Sequence, residues 1–348
     1  MLPTTAFPKL PPNLKGVKHS RTSNTTSLGL DCLDKLIEDG IPFPSIILIN
    51  EKSSRKIGKI LQRIYCAEAI VQEQNVIVAS PRKMDLEDIL NSIPSETTSS
   101  GNMTASGISQ KASNEESLKI AWRFQSAPKI NSSISNSKPK FDLAKSKARM
   151  EINESELVQT IFANTYQQLW KELEGILNCP NVDITQSGPK NAFRIILSEL
   201  GSPLFLDHSK AAITNFITRL RAFIMSSCAT VMICIDGDQM DTEMFESFHL
   251  ISDSILNFYP IPEHLRNAND PSAFTGRLEV AKIPRLYGNN LFRPEFCDYS
   301  YKDTRHTLEI RKFLLDFDDS NEMDTKSLEP ITDDLREMGI LAPDIDDV

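Results

Sequence analysis

Four apolar runs punctuate the chain, and most are followed by a stretch in which apolar residues recur every three or four positions. The runs occupy 46–49 (IILI), 75–80 (NVIVAS), 194–200 (RIILSEL) and 229–236 (ATVMICID). They are largely unbroken and do not alternate, as expected of strands covered on both faces. After the first run comes a polar loop from Glu51 to Lys56, then Ile57, Ile60, Leu61, Ile64 and Val71 on one helical stripe. Residues 208–225 repeat the pattern, with Ile213, Phe216, Ile217, Leu220 and Ile224 on one side. Upstream, Leu33, Leu36 and Ile37 share a helical face within 28–41, and Gly40 is placed to stop that helix.

The remaining segments are read in the same way. Asn153 and Glu156 form a capping box for a helix predicted to run to Leu177, with Leu157, Ile161, Leu169, Leu173 and Leu177 as its stripe. Residues 241–257 are predicted helical. The segment 118–125 (LKIAWRFQ) reads as a strand, and 276–286 and 299–317 alternate like antiparallel strands. Polar, low-complexity composition marks loops at 81–117, 126–150 and 258–275. The pattern therefore predicts an α/β fold, with a mostly parallel sheet flanked by helices and antiparallel strands near the C-terminus. One domain is expected over 26–319, with insertions at about 81–117 and 126–150, between a disordered arm (1–25) and a disordered tail (320–348).

Charge alters this picture at one end. The chain of 348 residues carries a net charge of −9. Twelve acids against Lys326 and Arg336 put −10 of that into 316–348, so the rest of the chain stands at +1. An acidic terminus of this type reads as a solvated appendage, and the near-neutral remainder leaves room for a local basic surface. No apolar run reaches membrane-spanning length, and no membrane association is expected. The proline-broken N-terminus lacks the apolar centre of a signal peptide, which points to an intracellular chain. Six cysteines without a C-x-x-C pair and isolated histidines predict no metal site.

The candidate chemistry lies behind the first strand. A phosphate-binding loop reads G-x-x-x-x-G-K-[ST]: glycines let backbone N–H groups close round phosphates, the lysine neutralises charge and the hydroxyl holds magnesium. Here Gly58 and Lys59 match, while Ser53 replaces the first glycine and Ile60 the hydroxyl. Asp236 ends an apolar strand where a magnesium-orienting aspartate would stand, or it simply terminates that strand. Glu199 lies at the end of another core strand, where a water-activating carboxylate would be found, though its neighbours lend that role no support. Six basic residues against Asp142 occupy 129–149. Among them Lys138, Lys140, Lys145, Lys147 and Arg149 suit nucleic-acid phosphates, or belong to a solvated linker. Phe141 is there to stack on a base or to anchor the segment. Arg219 and Arg221 lie off the apolar stripe of their helix, either as surface charge or as groups reaching a neighbouring subunit.

Six stretches carry a resemblance to a known family. They are SLGLDCLDKLIEDGIPFPSIILINE (27–51), LKIAWRFQ (118–125), FDLAKSKAR (141–149), RIILSELGSPLF (194–205), RLEVAKIPRL (277–286) and LEIRKFLLD (308–316). In order and spacing the chain resembles the subunit 4 family of the Elongator complex. The resemblance implies a RecA-like core without an intact nucleotide motif. It also implies a hexameric ring with two copies each of subunits 5 and 6, docked on the catalytic subcomplex of subunits 1, 2 and 3. That complex modifies wobble uridines of tRNA, and the ring is associated with tRNA binding and ATP-dependent release. A non-catalytic subunit is the first expectation, in the cytoplasm and nucleus, with no cofactor bound by the subunit alone and ATP confined to ring interfaces. The alternative is an active ring ATPase using Lys59 and Asp236 with a neighbour's arginine. Where the family has a Gly-rich turn before its first core strand, Glu38-Asp39-Gly40 keeps one glycine.

Overall fold

All four apolar runs become neighbouring or near-neighbouring strands of a single nine-stranded sheet. The computed structural model describes residues 10–19, 24–37, 40–97, 139–262, 274–284 and 298–312. The N-terminal part contributes β1 (Lys18–His19), β2 (Asn24–Thr26), α1 (Asp31–Leu36) and β3 (Ile41–Pro42). The core then opens with β4 (Ser45–Glu51), α2 (Lys56–Val71), β5 (Asn75–Ser80), α3 (Lys83–Asn91) and β6 (Pro94–Glu96). It continues through β7 (Phe141–Ser146), α4 (Arg149–Glu154), β8 (Val158–Phe162), α5 (Tyr166–Leu177), β9 (Phe193–Ser198) and α6 (Lys210–Ile224). Last come β10 (Ala229–Ile235), α7 (Thr242–Ile251), β11 (Ser254–Pro260), β12 (Gly276–Lys282), β13 (Asp298–Asp303) and β14 (Leu308–Lys312).

Across the sheet the order is β8-β5-β9-β10-β4-β11-β12-β13-β14. The first six run parallel and the last three are antiparallel additions. This is the order of a RecA-like core, with β4 inserted between β10 and β11. The pleat of β4 shows why its apolar run is unbroken. Ile47 and Ile49 face the layer that contains α1, α2 and α3, whereas Ile46 and Leu48 face α5, α6 and α7. With both faces covered, every position of the strand must be apolar or hydrogen-bonded. Chain order reverses around β4, since β5 lies on one side of it and β11 on the other. A ligand crevice in an open α/β sheet belongs at such a switch, beyond the C-terminal strand ends.

Several expectations are corrected. Residues 10–19 and 24–26 are not a free arm: Leu14 is buried against Phe43, Ala192 and Cys228, and β2 bridges β1 and β3. The 81–117 loop begins with a helix instead, α3, whose Leu86, Ile89 and Leu90 pack on the sheet while Lys83 and Glu87 are exposed. Residues 139–150 are likewise ordered, because β7 pairs with β6 and α4 follows. Phe141 is buried there and acts as an anchor. The helix expected over 153–177 is three elements. Ser155 ends α4, Glu156 adopts φ 52°, and the β-branched VQTIF segment becomes the sheet-edge strand β8. The true start of α5 is capped by Thr165, which accepts from the Gln168 N–H at 3.1 Å. Residues 241–257 divide too: α7 stops before Ser252, and Asp253 accepts from the Ile46 N–H at 2.9 Å, which fixes β11 beside β4. The strand expected at 118–125 lies outside the described residues.

Arg194, at the start of β9, is fully buried. Its Nε donates to Gln74 Oε1 (2.5 Å), Nη1 to the Ser27 carbonyl (2.8 Å) and Nη2 to Thr26 Oγ1 (2.9 Å). Its guanidinium also lies 4.5 Å from the Tyr65 ring centroid. The core strand thereby holds the N-terminal segment by its backbone and by a side chain.

Candidate nucleotide-loop site

At the C-terminal end of β4 the chain turns through Lys52–Arg55 into α2. The first N–H groups of a helix lack partners within it, which is why this position binds phosphate in loops of this geometry. Here the position is filled from within. Glu51, almost completely buried, accepts from the Ile57 N–H through Oε1 (3.0 Å) and from the Gly58 N–H through Oε2 (2.8 Å). Gly58 leaves that carboxylate room, since a Cβ there would stand 3.4 Å from Oε2. An anion is thus already seated on the helix start.

The other motif positions are also engaged within the chain. Ser53 sits at φ 58° and its hydroxyl donates to Asp238 Oδ2 at 2.7 Å. Lys59 Nζ lies 3.4 Å from Asp85 Oδ1 and 3.6 Å from Asp88 Oδ2, both on α3. Asp236 caps the short turn after β10, accepting from the Asp238 N–H (3.2 Å) and Gln239 Nε2 (2.9 Å). Arg55 reaches Glu199 Oε1 at 3.0 Å and approaches Asp236 at 4.0 Å, while Arg82 lies 2.7 Å from Asp85 and 3.7 Å from Glu199. Burial pushes the Glu199 carboxyl upward, against the pull of Arg55 and Arg82. Acids and bases alternate through this network, and the cavity between them is about 30 Å³, room for water and not for a triphosphate. The buried Ser198 hydroxyl lines it and has no partner among the described residues.

Ser53, Gly58, Lys59 and Asp236 therefore share one corner of the fold, as the motif requires, without an open phosphate site between them. Glu51, Arg55, Arg82 and Asp85 complete that corner and were not singled out in the sequence. An acid as the last strand residue before a loop that has lost its first glycine is the signal that would have identified Glu51. Among the described residues no cluster of His, Cys, Asp or Glu is arranged to hold a metal ion, and no helix is long and apolar enough to cross a membrane.

The basic run is divided. Lys138 lies outside the described residues. Lys140 pairs with the buried Glu68 at 2.6 Å, and Arg149 Nη1 donates to Asn91 Oδ1 at 2.9 Å. Lys145 is largely exposed, 3.9 Å from Asp142, and the Lys147 ammonium has no partner among the described residues. Arg219 stacks 5.9 Å from the Trp170 ring centroid. Arg221 is tied within its own chain, with Nη2 donating to Asp253 Oδ1 at 2.8 Å.

The sequence model of the family described as PAXNEB protein matches residues 10–336. Among curated relatives, Elongator complex protein 4 of Xenopus laevis is 24% identical over 344 residues, covering 89% of this chain and 83% of its own. The protein of the same name from Dictyostelium discoideum is 24% identical, covering 91% of this chain and 80% of its own. The human one is 24% identical, at 83% and 75%. Among solved structures, the KaiC-like protein PH0186 of Pyrococcus horikoshii OT3 aligns with a TM-score of 0.48 and 9% identity, covering 83% of this chain and 99% of that one.

Proposed function

The chain belongs to the PAXNEB family, and from that premise we propose that it is a non-catalytic RecA-like subunit of the Elongator complex. In this reading it assembles with the sister subunits 5 and 6 into a hexameric ring that docks on the catalytic subunits 1, 2 and 3. The ring supports tRNA binding and wobble-uridine modification, in the cytoplasm and nucleus. The Elongator assignment is supported by relatives of that name matched over most of both chains.

One observation carries the non-catalytic part: the Glu51 carboxylate occupies the Ile57 and Gly58 amides on which a nucleotide phosphate would rest. Two anions cannot share those donors, and Ile60 offers no hydroxyl for magnesium. In the competing reading, an ATPase working at ring interfaces, Lys59 would have to leave Asp85 and Asp88, and Glu51 would have to withdraw. Calorimetric titration of Mg-ATP into the co-expressed ring decides between them. The nucleotide bound per ring should be the same for wild type and Lys59→Ala. Magnesium-dependent binding that Lys59→Ala abolishes would overturn the non-catalytic reading, and absence of a hexamer in native mass spectrometry would overturn the ring.

A further inference from the structure

Lys59 has a second side. Lys56, Lys59, Ile60 and Arg63 fall at i, i+3, i+4 and i+7 of α2 and so share one helix face. That face forms one wall of a hollow of about 340 Å³. The other walls are the Asp303–Arg305 turn between β13 and β14, Leu143 of β7, and Ser92 just after α3. Four cations and a single carboxylate, Asp303, line the hollow. Asp303 is paired with Lys56. Arg63 spends Nη2 on Asp88 at 2.9 Å, while its buried Nε has no partner. Arg305 is exposed and makes no hydrogen bond or ion pair with the described residues. A guanidinium has five donors and an ammonium three, so each group that already holds an acid retains donors for an incoming anion.

The hollow does not end at its rim. Arg149 is bound to Asn91, the neighbour of Ser92. Arg149 therefore extends the cationic lining past Ser92, and with the row along α2 the cations form an elongated track and not a closed cup. Lys56 to Arg63 spans about 10 Å along the helix at 1.5 Å per residue. A single phosphate would meet only a fraction of these cations, whereas a chain of regularly spaced phosphates can meet them in succession.

We propose that this hollow, formed by Lys56, Lys59, Arg63 and Arg305 and extended by Arg149, is a docking track for the phosphodiester backbone of RNA. The choice of RNA rests on the ring-subunit reading above; the anion track itself does not. Phosphate contacts of this kind give affinity without reading sequence.

The test uses the co-expressed ring and an unmodified tRNA transcript, with affinity measured as a function of salt. Arg305→Ala removes an unpartnered surface cation and leaves the packing intact. It should weaken binding about fivefold at 0.15 M salt and flatten the slope of log affinity against log salt by about 0.7–0.9. Lys56→Ala combined with Arg305→Ala should roughly double both effects. Poly-glutamate of matched charge should compete poorly. A hexamer that binds the transcript with affinity and slope unchanged by the double substitution would overturn the track and leave the ring reading standing. Loss of the hexamer in Arg305→Ala would overturn it by making the hollow a subunit contact, and equal competition by poly-glutamate would reassign it to an acidic peptide. A wild-type chain that forms no ring, or a ring that binds no tRNA, would count against the ring reading itself.

Discussion

Glu51 and Arg194 are both buried, and among the described residues neither lies within salt-bridge distance of an opposite charge, yet they are held by opposite means. Glu51 rests on two backbone N–H groups at the start of α2. Arg194 is surrounded by a carbonyl, an amide oxygen, a hydroxyl and an aromatic face. The anion uses donors that a helix start leaves vacant in any case. The cation uses acceptors recruited from two distant parts of the chain, residues 26–27 and Gln74. The first is a local device that closes a ligand site, and the second is a long-range device that fastens the N-terminal segment to the core. They should consequently fail differently when removed.

The largest effect is expected at the cation. Arg194→Met would keep the volume and strand two buried acceptors, Gln74 and Thr26, and the half-buried Ser27 carbonyl, each buried one worth about 1–3 kcal/mol when left unpaired. A loss of about 3–5 kcal/mol in urea unfolding is expected, with earlier proteolysis of the N-terminal segment. Equal stability of the variant would erase the contrast with Glu51.

The next effect, titration, belongs to the same region. Burial lifts the Asp34 carboxyl to about 6, against the pull of the Leu28 N–H, the Ser27 hydroxyl and Arg194. The folded state therefore holds a proton there that the unfolded chain releases at lower pH. That contribution is fully present below about pH 4 and is lost as pH rises through about 6, a fall on the order of 3 kcal/mol. Asp34→Asn cannot ionise, and its stability should be flat across that window where wild type declines. Parallel pH profiles would show that Asp34 is not the titrating group.

The smallest change in stability, and the most specific in kind, is expected at the anion. Glu51→Ala removes what is in effect the cap of α2, at a cost of about 1–2 kcal/mol. It should also free the Ile57 and Gly58 amides. Pyrophosphate should then raise the melting temperature of the variant and leave that of wild type unmoved. If neither responds, closure of this loop depends on more than Glu51.

How much of this could be read from the residues follows the same division between local and distant causes. The strands at 46–49, 75–80, 194–200 and 229–236 were legible because burial on both faces demands apolar residues at nearly every position. The helices α2 and α6 were legible from their stripes. By contrast, β8 and β11 were read into helices. The apolar residues of 157–177 and 241–257 keep a helical spacing across breaks that are tertiary in origin: the left-handed Glu156, and Asp253 bound to the Ile46 N–H and Arg221. Helix α3 was hidden by the polar character of its exposed face. Gly58 and Lys59 marked the correct corner of the sheet. That Lys59 faces Asp85 and Asp88, and that Glu51 folds back by six and seven residues onto α2, depends on side-chain geometry that no spacing rule conveys.

The Arg194 anchor has a further consequence, during synthesis. Its partner Thr26 lies 168 residues earlier in the chain. At ribosomal rates of about 5–20 residues per second, Thr26 and Ser27 leave the ribosome roughly 10–30 s before the side chain that will hold them exists. Throughout that interval Leu14 lacks its partners Ala192 and Cys228, and Thr26 lacks the Arg194 guanidinium. The segment ahead of them carries Pro3, Pro8, Pro11 and Pro12, and proline lacks the N–H with which an exposed strand would recruit another chain. A segment with that composition can wait for its strand without pairing with the same segment of a neighbouring chain.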